Sequence, residues 1–158
     1  MLLLTHYCGM RVNEIANLKK SDVVDDKGNI VDVIYFKATQ TKGNDSRRVF
    51  VNKKAKALLK SYLNANLSVI RSDYLFTTQK SKQFTANTLT QLLKRLYEQV
   101  GIKHATSHSG RRTFITKLAN SGVNVRVIAE LASHKSIQTT QRYIDINDNL
   151  CSNAVELV

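Results

Sequence analysis

The stretch Ser107–Asp145, SHSGRRTFITKLANSGVNVRVIAELASHKSIQTTQRYID, gathers the groups best suited to chemistry on a phosphodiester: His108, Arg111, Arg112, His134, Arg142 and Tyr143. Within it, TSHSGRRTFITKLANSG predicts a helix entered at Thr106 or Ser107 and closed at Gly122, because hydroxyl residues cap N-termini and glycine ends helices. His108 and Arg111 lie three apart and so share a face near its start. Unpaired N–H groups and partial positive charge favour a phosphate at that end, and an imidazole and a guanidinium add donors of matching geometry. A second helix over 124–132 carries Val127, Ile128 and Leu131 as a packing stripe and delivers His134 just past its end. Ser136 then caps a short helical run, IQTTQRYID, that holds Tyr143.

Working outward toward the N-terminus, residues 1–7 read as the tail of an apolar helix, broken at Gly9. Residues 11–18, RVNEIANL, read as a helix with Val12, Ile15, Ala16 and Leu18 inward. Arg11 and Glu14 share its other face, and taken alone they are a surface i,i+3 ion pair worth a few tenths of a kcal/mol. From Val23 to Val51 the pattern turns strand-like. VVDDKGNIV reads as a hairpin around Lys27, Gly28 and Asn29, VIYFKATQT is β-branched and aromatic, and SRRVFV returns after KGND. A three-stranded antiparallel sheet is expected. The turn TKGNDSRR puts Lys42, Arg47 and Arg48 at a hairpin tip, which by itself is a solvated charged turn.

Asn52 is placed to cap a helix KKAKALLKSYLNANL, with Ala55, Leu58, Leu59 and Leu63 inward and Lys53, Lys54, Lys56 and Lys60 outward. DYLFTT suggests a brief extended piece. TANTLTQLLKRLYEQVG predicts an amphipathic helix ending at Gly101 with Leu89, Leu92, Leu93, Leu96 and Val100 on its core face. The tail DNLCSNAVELV carries Leu150, Val155, Leu157 and Val158. The fold class expected is α+β, a mainly helical domain with a small sheet near its N-terminus, and residues 1–158 read as one domain.

The composition supports this. A chain of 158 residues, 42% hydrophobic and 23% charged, can build a real core. With 24 Lys and Arg against 12 Asp and Glu, the formal charge is +12, which points to a polyanion, and nucleic acid is the commonest one. No apolar run suits a membrane span, and MLLLTHYCG lacks the basic start of a signal peptide. Cys8 and Cys151, at opposite ends, make neither a disulfide scaffold nor a zinc ribbon, and a reducing cytoplasm is expected. His104 and His108 are four apart but lack a third ligand nearby, so no metal is expected.

His-x-x-Arg at His108–Arg111, followed by L-x-S-H-K-S-I-Q-T-T-Q-R-Y with Tyr143 nine residues after His134, resembles the second signature of the tyrosine recombinases, the phage integrases and their relatives. CGMRVNEIANLKKSDV resembles their first signature, and the turn at 42–47 their sheet hairpin K-G-x-x-x-R. The resemblance runs from Leu2 to about Asp145 and implies site-specific recombination of double-stranded DNA by cleavage and rejoining. It implies roles for Arg11, Lys42, His108, Arg111, His134 and Tyr143 in catalysis, with Tyr143 as nucleophile and Lys42 as the acid for the leaving oxygen. Glu14 would brace the site, while Arg47, Arg48, Arg112 and Arg142 would contact DNA. No cofactor is implied. The implied partners are DNA and further copies of the chain, a tetramer on DNA held through the C-terminal tail, in a bacterial or phage-encoded, cytoplasmic setting. Ser133 stands where the family usually has Gly, and Gly110 where Leu is common. The family's upstream DNA-binding domain and the opening helix of its catalytic domain are expected to be absent. Three other readings compete: a non-catalytic helix-turn-helix over 122–143, a type IB topoisomerase with the same chemistry, and an inactive recombinase remnant.

Overall fold

The computed structural model describes residues 1–38, 46–66, 72–144 and 148–156. Along the chain run α1 (Leu2–Cys8), α2 (Val12–Ala16), α3 (Lys20–Val23), β1 (Val33–Phe36), β2 (Arg47–Phe50), α4 (Lys53–Asn66), α5 (Ala86–Gln99), α6 (Ser109–Asn120), α7 (Val125–Ala132), α8 (Ile137–Gln141) and α9 (Asp148–Val155). The fold is α+β and mostly helical.

The sheet has two antiparallel strands among the described residues where three were expected, with Val33 opposite Phe50 and Phe36 opposite Arg47. The first hairpin of the expected sheet fails for a local reason. Val23 is the last residue of α3, so only one bridge, Val24 to Ile30, remains to be made. The intervening turn is fixed by Asp25 Oδ1, which accepts from the amides of Lys27 and Asn29, and by Gly28 at φ 79°. Strand alternation in β1 and β2 buries Ile34, Phe36, Arg47 and Val49 and leaves Tyr35 and Phe50 exposed.

Two apolar clusters form the core. The larger joins α1, α2, β1, β2, α4 and α5, and includes Ile15, Leu18, Ile34, Phe36, Leu59, Leu75, Leu89 and Leu93. The smaller joins α6 and α7 through Ile115, Ala119, Ile128 and Ala132, with Tyr143 packed against it. Caps fall where expected at Asn52, which accepts from the Ala55 amide at 2.8 Å, and at Ser136, which accepts from Gln138 at 3.3 Å. Two stripes rotate from their expected faces. On α5 the buried line is Leu89, Leu93 and Tyr97, leaving Leu96 and Val100 exposed, and on α7 it is Ile128 and Ala132, leaving Val127 exposed.

The clusters meet where α1 crosses α6. A Cβ on Gly110 would stand 1.9 Å from Thr5 Oγ1 and 2.9 Å from Thr5 Cβ, so the absent side chain is what lets these helices approach. This accounts for glycine at a position where the family commonly has Leu. Gly9, at φ 60°, ends α1 and lies so close to Phe114 that a Cβ would fall 2.6 Å from its ring. The carbonyl of this glycine is thereby fixed at the junction.

Candidate active site

The site is assembled from four pieces: the Gly9–Arg11 turn, the start of β2, the first turn of α6, and the C-terminal end of α7. Arg11 is the N-cap of α2. Its amide donates to Glu14 Oε2 at 2.7 Å, its Nη1 to Glu14 Oε1 at 3.0 Å, and its Nη2 to the carbonyls of Ala132 (3.3 Å) and Ser133 (2.8 Å). Glu14 therefore returns to the amide of its own N-cap, which is half of a capping box. Arg111, on α6, donates Nη1 to Gly9 O at 2.5 Å and Nη2 to Ala132 O. The two guanidinium groups named by the two signatures thus converge on one carbonyl, although they are separated by a hundred residues.

The last carbonyls of a helix are unpaired and electronegative, so cationic donors there satisfy α7 and fix the chain at Ser133. Ser133 takes a left-handed conformation, φ 47°. A side chain tolerates that region less well than glycine does, and here the surrounding donors hold it. His134 follows at once. Its Nδ1 lies 2.8 Å from the hydroxyl of Thr140, a fully buried residue on α8. Its ring stacks near Tyr143, with centroids 6.3 Å apart and planes 24° apart. Tyr143 is half-buried one residue beyond the C-cap of α8.

Electrostatics follow from this crowding. Arg11 and Arg47 pair with the carboxylate of Glu14 and Arg111 lies near it, so the cluster carries a formal +2, a charge that favours an anion. Burial, then the charges of Arg11 and Arg47, pushes Arg111 down to about 9, so it stays cationic at neutral pH. Burial, then Arg111, Arg11 and Arg47, pushes His134 down to about 4, so its imidazole is neutral at pH 7. A neutral ring hydrogen-bonded through Nδ1 can offer Nε2 as a donor.

His108 is the N-cap of α6, three residues ahead of Arg111, and its ring is exposed. Arg112 and Arg142 are exposed, as is Arg48, which reaches Glu130 at 3.2 Å. A cleft of about 900 Å³ opens beside the site, lined by Tyr35, Arg48, Arg126, Glu130, His134 and Lys135 among others. Lys42 lies outside the described residues.

Arg47 requires a correction. It was expected at a hairpin tip facing DNA, yet its side chain is 2% exposed. Nη1 stands 2.5 Å from both oxygens of Glu14, and Nη2 donates to Gly9 O and Leu131 O at 3.2 Å. The alternation of Val49 and Val51 toward the core already assigns Arg47 to the same face, and that signal was outweighed by its neighbours in a charged turn. Thr140 was missed for a different reason. Nothing in QTTQRY marks one threonine over the other.

Residues 1–149 match the phage integrase family, and the chain belongs to that family. It is 31% identical over 149 residues to a tyrosine recombinase of Pseudothermotoga lettingae, covering 94% of this chain and 49% of that protein. It is 30% identical over 159 residues to tyrosine recombinase XerA of Pyrococcus furiosus, covering 99% and 52%. The chain thus spans about half the length of the curated relatives it matches. Among solved structures, a XerA recombinase superposes with a TM-score of 0.78 at 31% identity, covering 98% of this chain and 55% of that one. XerH site-specific recombinase bound to a palindromic difH substrate superposes at 0.74 and 25% identity, covering 98% and 43%.

Proposed function

We propose that this chain is the strand-cleaving part of a tyrosine recombinase acting on double-stranded DNA. The observation that carries the reading is the convergence of Arg11 and Arg111 on Ala132 O, two residues before His134, whose ring stacks near that of Tyr143. A non-catalytic helix-turn-helix gives no reason for that convergence. DNA-bound relatives such as XerH support the substrate class.

In the proposed reaction Arg11 and Arg111 bind the non-bridging oxygens of the scissile phosphate, and neutral His134 donates a hydrogen bond from Nε2 while Thr140 holds Nδ1. Tyr143 attacks phosphorus in line. The P–O5′ bond breaks as the P–Oη bond forms, leaving a 3′-phosphotyrosine and a 5′-oxygen that takes a proton from Lys42. His108 helps to move the proton that leaves the Tyr143 hydroxyl. Rejoining reverses these steps with a new 5′-hydroxyl, so bond energy is kept in the phosphotyrosine and no metal or nucleotide is required. Arg48, Arg112 and Arg142 contact backbone phosphates, and Glu14 braces Arg11. Assembly of four copies on DNA, held by the C-terminal tail, belongs to the same proposal.

Sulfur in place of the 5′-bridging oxygen makes a leaving group that needs no acid. On that substrate Lys42→Ala is expected to recover most of the cleavage rate, while Arg111→Ala stays slow, each deficit on the natural bond being about 100-fold or more. Equal behaviour of the two variants on both substrates would overturn the assignment.

A further inference from the structure

Arg47 is left without a part in this reaction, yet it is among the most deliberately placed side chains in the molecule. Burial disfavours its charged form, and a buried ion pair stabilises a fold no better than apolar residues of similar size. Val49, two residues along the same face, shows that an aliphatic side chain suits this layer. The explanation for an arginine lies in what it touches. Glu14 Oε1 also accepts from Arg11, Gly9 O also accepts from Arg111, and Leu131 O adjoins Ala132 O, on which both converge. Each acceptor of Arg47 is shared with, or next to, an acceptor of the two phosphate-binding arginines. It is also the first residue of β2, five positions after Lys42.

We propose that Arg47 is a positioning residue of the strand-cleaving site, which holds Glu14, Gly9 O and the end of α7 so that Arg11 and Arg111 face one phosphate. This rests on the recombinase reading. Its guanidinium fork is essential because it spans three separate elements at once: the carboxylate on α2, the carbonyl closing α1, and the Leu131 carbonyl near the end of α7. A lysine keeps the charge but not the fork. The same clamp joins β2 to the end of α7, just ahead of His134, so one side chain sets the relative placement of these two elements.

The test is single-turnover cleavage of a nicked duplex by the full chain and by Arg47→Lys, with Arg47→Met as a second variant. The scissile position carries either a phosphodiester or a methylphosphonate, which lacks the negative charge that Arg11 and Arg111 neutralise. Arg47→Lys is expected to bind DNA within about two-fold of the unmodified chain, since surface phosphate contacts are untouched. It should cleave the phosphodiester about 100-fold more slowly, a loss of the size seen when one transition-state donor is misplaced. On methylphosphonate the deficit should shrink to a few-fold. A deficit equal on both substrates, or no deficit on either, would overturn the proposal. Nitrogen-15 spectra of the arginine side chains decide it without activity: Arg11 and Arg111 should show restrained guanidinium signals in the unmodified chain that average out in Arg47→Lys, and in Arg47→Met if it folds. Unchanged signals would overturn the proposal. Absence of any cleavage by the unmodified chain would count against the recombinase reading, and the spectra would still decide the role of Arg47.

Discussion

His134 illustrates how a residue acquires its chemistry from its surroundings. An unfolded histidine titrates near 6.5, whereas burial and three arginines push this one down to about 4. Between those values the unfolded chain binds more protons than the folded one, so stability rises with pH across the window and is lost as pH falls from about 6.5 toward 4. His6, lowered by burial and by Lys117, acts in the same direction. Thermal melts at a series of pH values should therefore show a shallower acid loss for His134→Gln than for the unmodified chain, by a margin limited by solvent around the ring. An identical pH slope in the variant would contradict this. That His134 and Tyr143 are neighbours was legible because their spacing is carried by sequence. The partner that holds the imidazole, Thr140, was not, because a hydroxyl earns its role only once α8 folds back under His134.

Elements show a different limit. The approach of α1 to α6 depends on Gly110, and a methyl group there meets Thr5 Cβ, which no rotamer change can move. Gly110→Ala is expected to lower stability by about 1–3 kcal/mol, the usual cost of overpacking, and calorimetry would show it as a lower Tm. A variant that melts like the parent would mean that the two helices do not pack this tightly. Most of the longer helices and the caps at Asn52 and Ser136 were readable from sequence, because those are local effects. On α5 Leu89 and Leu93 are buried as expected, but Tyr97 takes the place of Leu96, with its phenol oxygen 3.1 Å from His6 Nε2. The third strand failed because four residues of α3 competed for Val23. The placement of Arg47 was half legible: strand alternation pointed inward while turn composition pointed out.

For the whole molecule, the features that sequence marks separately come together at the seam between two cores. Signature residues near position 11 and near position 111 meet on the end of α7, and the formal charge of +12 favours a polyanion on the surrounding surface, a DNA backbone under the proposed reading. Affinity for duplex DNA should accordingly fall steeply with salt, because it comes mainly from counterion release. The decisive measurement is covalent capture. The full chain is incubated with nicked duplex in EDTA, and SDS-resistant protein–DNA adduct is quantified beside Tyr143→Phe. The expected result is adduct through a 3′-phosphotyrosine from the unmodified chain and none from Tyr143→Phe, with DNA affinity of the two within a few-fold. Adduct from Tyr143→Phe at undiminished yield, or DNA bound by the unmodified chain without any adduct, would contradict the assignment of this site as a strand-cleaving centre.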